Sequence, residues 1–135
     1  MKPVAAMIGA LLVAAATAGA FDGVQTFNDV RDLGGQPLNV GAAGETDITL
    51  GPDAVWTGVT AVDIAPAWSP TDPFHARLTV QGSLGTAAGR TGDVSVGRAG
   101  NPSAELLIDG GSVYCGTVHF ARGTGAASLT MTGGL

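Results

Sequence analysis

The chain alternates apolar and polar residues over short stretches rather than over helical lengths. Alternation occurs at 47–50, 61–64, 77–80 and 93–96, and Gly or Pro follows each stretch within two residues. A period of two is typical of a short β-strand with one apolar face. Beyond residue 20, apolar residues do not recur at helical spacing in any long segment. The pattern therefore predicts an all-β fold with very little helix.

The last third of the chain repeats one pattern. Residues 94–100 (VSVGRAG) lead to 106–111 (LLIDGG), and residues 118–123 (VHFARG) lead to 129–134 (LTMTGG). A repeat of about two dozen residues is typical of a β-solenoid, in which each coil is too small to fold alone. Loops of unequal length between the strands are compatible with this, because loop insertions cost little free energy. The sequence therefore predicts a short right-handed parallel β-helix-like solenoid of about three coils over residues 61–135.

The repeat also predicts which strands pair. Aligning the copies gives two series, namely Val62, Val94 and Val118 in the first and Leu78, Leu106 and Leu129 in the second. We expect parallel pairing in register within each series, with these side chains facing the core. Antiparallel pairing would instead indicate a β-sandwich built from hairpins, which is the alternative fold. The glycines expected at the corners after the strands are Gly97, Gly100, Gly110, Gly111, Gly123, Gly133 and Gly134. About half of them are expected to have positive φ.

Residues 21–60 fit the repeat poorly, because 27–32 (FNDVRD) and 34–37 (GGQP) interrupt it. Terminal repeats of a solenoid are atypical because they cover an open strand edge. We therefore expect an N-terminal cap over residues 21–60, with Trp56 filling the first coil. The pattern stops at Leu135 inside its third copy, which predicts that the sequence is part of a longer array.

The first twenty residues have the features of a secretory signal peptide. Lys2 is followed by an uncharged, largely apolar stretch at 4–18 and then by Gly19 and Ala20. A short basic segment, an apolar segment and small residues at the cleavage site define such a peptide. We expect cleavage after Ala20 and localisation as a secreted or cell-surface protein. A membrane anchor is the weaker interpretation, because a spanning helix needs about 20 apolar residues.

Charge and cysteine content narrow the choice of partners. The chain has 6 basic and 11 acidic residues and a formal net charge of −5, so nucleic acid and anionic membranes are poor partners. Cys115 is the only cysteine, and no intramolecular disulfide can form. We expect it to be a small buried residue in a strand, with an intermolecular disulfide or a reactive thiol as alternatives.

Few residues suggest chemistry, and none is assigned a catalytic, cofactor-binding or metal-binding role. His75 and His119 are far apart in the sequence and lack a metal-binding motif, and His119 is expected on the outer face of its strand. Asp63, Asp93 and Asp109 would share one outer face if the coils aligned suitably. Glycosidase chemistry needs carboxylates about 5–10 Å apart, so the simpler expectation is three solvated strand acids.

Arg98 and Arg122 follow the first strand of two successive copies at equivalent positions. An arginine at a corner can bond carbonyl groups or pair with an acid of the adjacent coil, which is the simpler interpretation. A basic ladder that binds an acidic glycan is the alternative.

The unit from Val94 to Gly111, repeated imperfectly from Val118 to Gly134, resembles the repeats of known exported proteins. It is similar to the repeats in autotransporter passenger regions and in bacterial exoproteins that carry a PEP-CTERM sorting tail. The resemblance covers the chain from Arg77 onward. It implies a parallel β-helix-like stalk that is exported by the general secretory route and displayed at or beyond the outer membrane.

Together these features predict a non-enzymatic exported β-solenoid segment that serves as a surface stalk or adhesin-like module. Its expected partners are extracellular polysaccharide or cell-surface matrix, with no cofactor and no membrane insertion after signal cleavage. The alternative is a polysaccharide-binding or polysaccharide-degrading β-helix protein, whose groove would be formed by Asp93 with Arg98 and Arg122.

Overall fold

A computed structural model describes residues 20–41, 44–66, 74–97, 103–120 and 126–132. The described residues are all-β and contain no helix. In chain order the strands are β1 (Ala20–Phe21), β2 (Gly23–Phe27), β3 (Val30–Val40), β4 (Thr46–Leu50), β5 (Val55–Ile64), β6 (His75–Val80), β7 (Ser83–Leu84), β8 (Val94–Val96), β9 (Ser103–Asp109), β10 (Ser112–Val113), β11 (Val118–Phe120) and β12 (Ala127–Thr132).

The strands form two parallel sheets, and the chain passes between them alternately. Sheet A has the order β1-β3-β5-β7-β10, with β8 between β5 and β11, and sheet B has the order β2-β4-β6-β9-β12. Residues that are hydrogen-bonded across neighbouring coils of sheet B are 23, 30, 28 and 23 positions apart from the N-terminus onward. The extra length of the longer coils lies in the connections after β5 and β7. The chain is therefore a β-solenoid of about four coils, which confirms the predicted fold class.

The predicted pairing of both series of strands is confirmed. In sheet A, Val62 pairs with Val94 and Val94 pairs with Val118, both in parallel. In sheet B, Leu78 pairs with Leu106, and Leu106 pairs with Leu129. The parallel pairing excludes the β-sandwich alternative for these strands, because sandwich hairpins would be antiparallel.

Residues 21–60, where the repeat pattern predicted a cap, contribute strands to the same stack. Leu38 pairs with Val62 across β3 and β5, and Ile48 pairs with Leu78 across β4 and β6. The solenoid therefore starts before residue 61, and this accounts for the difference between the predicted three coils and the observed four. The repeat pattern does not reveal this coil, because the register of β3 shifts between Asp32 and Gln36.

The core consists of inward-facing side chains that stack in columns, where a column is the set of residues paired in register on successive strands. In one column Ile48, Leu78 and Leu106 are buried. Burial of each such side chain contributes about 1.5–3 kcal/mol relative to exposure. Trp56, expected to fill the first coil, is the largest fully buried side chain of the described residues and packs against Phe21 and Phe27.

The predicted corner glycines divide into two kinds. Gly97 and Gly110 have φ of 74° and 78°, in the left-handed region that favours glycine. Gly111 instead allows close approach between coils, because a Cβ there would lie 2.5 Å from the carbonyl oxygen of Val80 and 2.6 Å from that of Gly82. Gly100, Gly123, Gly133 and Gly134 lie outside the described residues.

We expect the substitution Gly111→Ala to lower the free energy of unfolding by about 1–3 kcal/mol, because backbone of the preceding coil must move to admit the methyl group. Gly44→Ala is the matched control, since a Cβ at Gly44 meets no atom within 4 Å. Urea unfolding monitored by circular dichroism measures both. Equal stability of the two variants would contradict the close approach at Gly111.

Candidate functional site

A column of charged side chains runs along the outer face of sheet B. Asp47 pairs with Arg77, and Arg77 pairs with Glu105, so the three lie on successive strands β4, β6 and β9. The neighbouring residues in each strand are buried, because side chains of a strand alternate between its two faces. The register of the core therefore also fixes the charged column, in which the charges alternate in sign.

Arg77 is hydrogen-bonded to Asp47 and forms an ion pair with Glu105. Its Nη2 lies 2.6 Å from Oδ2 of Asp47 and its Nε lies 3.3 Å from Oδ1, while its Nη1 lies 3.8 Å from Oε1 of Glu105. The hydrogen bond to Asp47 raises the pKa of Arg77, and partial burial opposes this only in part. Two-point contact between a guanidinium and a carboxylate holds both planes in a fixed orientation. Arg77 therefore ties together three coils.

His75 extends this polar group toward the start of the strands. Its Nδ1 lies 3.0 Å from Oγ of Ser103, and its Nε2 lies 3.9 Å from Oε1 of Glu105. Its backbone N–H donates to Oε2 of Glu45 at 2.7 Å. All three contacts reach residues of the coil before or after it, so His75 links neighbouring coils in the same way as Arg77.

Asp109 lies near the other end of sheet B and is bonded from both sides of the stack. The hydroxyl of Thr132 donates to its Oδ1 at 2.8 Å, and Nε2 of Gln81 donates to its Oδ2 at 3.2 Å. These hydrogen bonds, that of Thr132 first, lower the pKa of Asp109, because they stabilise the charged carboxylate. The exposed carboxylate thus joins the coils before and after its own.

Sheet A carries a second polar group, around Asp93. Its Oδ2 lies 3.3 Å from Nε2 of His119, and its Oδ1 accepts a hydrogen bond from the backbone N–H of Thr117 at 3.0 Å. Asp63 is on the same sheet and pairs in register with Ser95, which pairs with His119. His119 is half-buried, on the outer face as expected.

The structure separates the three aspartates that the sequence grouped on one possible face. Asp63 lies in β5 of sheet A and Asp93 directly precedes β8 of that sheet, whereas Asp109 ends β9 of sheet B. The two arginines of the possible basic ladder, Arg98 and Arg122, lie outside the described residues. Within the described ranges, no cluster of three His, Cys, Asp or Glu side chains could hold a metal ion. Those ranges also contain no helix long and apolar enough to cross a membrane.

Arg31 is a residue that the sequence pattern did not single out. It faces inward, in the column of Trp56 and Leu84, and its guanidinium carbon lies 4.6 Å from the centroid of Trp56 and 5.0 Å from that of Phe27. Asp29 joins the group, because it accepts from Nε of Arg31 at 2.9 Å and from Nε1 of Trp56 at 3.1 Å. The register shift in β3 conceals this inward position, so alternation alone could not find it.

Cys115 lies in the connection between β10 and β11 and not within a strand, contrary to the prediction. It is half-buried and packs against the core. Burial raises the pKa of the thiol, the charge of nearby Arg90 opposes the increase, and that of Asp93 adds to it. The free thiol is therefore mainly protonated at neutral pH, when it is a weak nucleophile.

We expect the substitution Thr132→Val to raise the pKa of Asp109 toward its ordinary value, because it removes the main hydrogen-bond donor. A lowered pKa in the folded state means that this carboxylate stabilises the fold above its unfolded pKa, and that the contribution disappears as the pH falls through the folded pKa. The variant should therefore lose less stability in acid than the wild type. NMR titration of the Asp109 carboxyl carbon measures the shift. An unchanged pKa would contradict the bond.

Comparison with known proteins adds no constraint on function. No protein-family model, curated protein or solved structure matches the chain. The assignment of a β-solenoid therefore depends on the strand pairing and register of the chain itself. The likeness to autotransporter passenger and PEP-CTERM exoprotein repeats stays a resemblance of sequence motif.

Proposed function

We propose that the chain is a non-enzymatic exported β-solenoid segment that serves as a surface stalk or adhesin-like module. The observation that supports this best is the arrangement of polar side chains on the outer faces. Arg77, Asp109 and His75 each contact residues of the coils on either side. These three side chains hold neighbouring coils together. An extended structure that bears mechanical load needs such contacts between its coils.

The spacing of the bonded residues strengthens this interpretation. Arg77 and Asp47 are 30 positions apart in the chain, and Asp109 and Thr132 are 23 apart. Each contact therefore closes a whole coil and resists its separation from the next. Stability in repeat proteins is approximately a sum of such interfaces between neighbouring repeats.

Export is the second part of the proposal, and it concerns the boundary at residues 20 and 21. Phe21 is a core residue that packs against Phe27 and Trp56, so the fold already includes the first residue after the predicted cleavage site. Ala20, the last residue of the predicted signal peptide, pairs with Asn39. Cleavage there would remove one pair of β1 and leave the aromatic cluster complete.

Polysaccharide binding is the second candidate, and hydroxyl groups on sheet B favour it. Thr26 and Thr49 lie in register on the outer face, beside the charged column, and the next residue of their row, Thr79, is buried. Strands in a sheet are about 4.8 Å apart, so a regular row of hydroxyl and charged groups could align with a repeating polymer. Only a ligand-binding measurement separates this role from a purely structural one.

We expect Arg77 and Asp47 to be coupled by about 0.2–1 kcal/mol in a double-mutant cycle with Arg77→Met and Asp47→Asn, as for other partly exposed ion pairs. The matched control is the cycle of Arg77→Met with Glu105→Gln, whose shortest separation of 3.8 Å predicts weaker coupling. Urea unfolding measures both cycles.

The same variants on a glycan array, with an assay for released reducing ends, test function. Glycan binding or cleavage that is lost in Arg77→Met would favour the second candidate over the stalk.

We expect the exported protein to begin at Phe21, because the small residues before it fit the cleavage site of a signal peptide. N-terminal sequencing of protein recovered from the culture medium or cell surface tests this. An intact Met1 in the exported form would contradict cleavage, and retention of all the protein inside the cell would contradict export.

A further inference from the structure

The predicted cleavage site lies inside a strand of the folded chain. β1 consists of Ala20 and Phe21, the residues on either side of the bond to be cut. In register, Ala20 pairs with Asn39 and Phe21 pairs with Val40 of β3. A protease binds its substrate as an extended segment through main-chain hydrogen bonds, and strand pairing uses the same main-chain groups. The bond is therefore accessible to a protease only when β1 leaves the sheet.

The chain turns directly after β1, and hydrogen bonds hold the turn on both sides. The carbonyl oxygen of Phe21 accepts from the N–H of Gly41 at 2.9 Å, and the N–H of Gly23 donates to Oγ1 of Thr46 at 3.3 Å. The φ of Gly23 is 82°, in the left-handed region, where the chain passes from sheet A to sheet B. An extended segment cannot include such a residue. Access to the bond therefore also requires the turn between β1 and β2 to open.

The side chain of Phe21 anchors β1 in the core. It is 5% exposed, and its ring centroid lies 5.4 Å from that of Phe27 and 5.4 Å from that of Trp56. Aromatic pairs at such distances stabilise each other beyond the burial of their surface. Release of β1 takes the ring of Phe21 into water and separates it from both partners. The form in which the bond is accessible is therefore a minor population of the folded chain.

We propose that the bond between Ala20 and Phe21 is a substrate of signal peptidase only before β1 folds, so that cleavage must precede folding of the N-terminal coil. The inference rests on the proposed export and adds the order of its steps. Cleavage is a hydrolysis, in which water adds across the bond and leaves a carboxylate on Ala20 and an amino group on Phe21. A chain that is cut first then folds with its aromatic cluster complete, because the cluster begins at Phe21. A chain that folds first retains residues 1–20.

An order-of-addition experiment with the full chain tests the proposal. The chain is unfolded in urea and diluted into detergent micelles, and purified signal peptidase is added either at dilution or after the chain has folded. Cleavage after folding should be at least about tenfold slower, because its rate follows the population of the open form. Mass spectrometry of the product identifies its first residue, which should be Phe21, and circular dichroism measures the extent of folding.

Phe27→Ala is the informative variant, because it removes a ring that packs against Phe21 and leaves the residues next to the bond unchanged. Once folded, it should be cut at least about tenfold faster than the folded wild type, because its open form is more populated. Val24→Ala is the matched control, since Val24 lies in the same strand and is 84% exposed, and its rate should equal that of the wild type. If Phe27→Ala fails to fold, Thr46→Val replaces it with the same expected direction, because it removes the hydroxyl that accepts from Gly23.

Equal cleavage rates for the unfolded and the folded wild type would overturn the proposal, as would a folded Phe27→Ala that is cut no faster than Val24→Ala. Failure to cut the unfolded chain after Ala20 is a different outcome, because it would contradict the signal peptide itself and therefore the proposed export together with this inference. The stalk part of the proposed function does not depend on these measurements, and the glycan array tests it separately.

Discussion

Stacking of inward-facing side chains in register is the interaction on which the rest of this molecule depends. A single coil of this chain encloses too few apolar side chains to form a core, so Leu78 is buried only because Ile48 and Leu106 lie above and below it. The parallel register is strict, since a shift by one residue would expose every inward side chain. Each coil is therefore stabilised mainly by its neighbours, as in other repeat architectures.

The same register determines what the outer faces can do. Arg77 meets Asp47 and Glu105 because the core columns on both sides of it fix their strands. Exposed ion pairs contribute only about 0–1 kcal/mol each, and a shift of two residues between β6 and β9 would replace the contact of Arg77 with Glu105 by one with Ser103 or Leu107. The charged column therefore contributes more to the choice of register than to total stability. The bonds of Asp109 to Gln81 and Thr132 act in the same way on the adjoining coils.

The sequence predicted the parts of the fold in which period and register stay regular. Val62, Val94 and Val118 align when the copies of the repeat are superimposed, and the structure pairs them as expected. The N-terminal coil was not predicted, because the register shift in β3 moves Arg31 to an inward position that alternation cannot reveal. The contacts of Arg77 could not be predicted for another reason. They join residues 28 to 30 positions apart across loops of unequal length, and loop lengths cannot be converted into contacts without the structure.

The first and last described coils carry side chains of opposite character at their inward positions. At the N-terminal end Arg31 covers Trp56 with a flat guanidinium that stacks on the rings while Asp29 balances its charge. Such a group covers apolar surface and cannot enter a dry interface without losing solvation. In the last described coil, the inward residues Leu129 and Met131 are apolar and are 39% and 58% exposed. The first and last described coils therefore differ in polarity at their inward positions, although the columns that they continue are apolar.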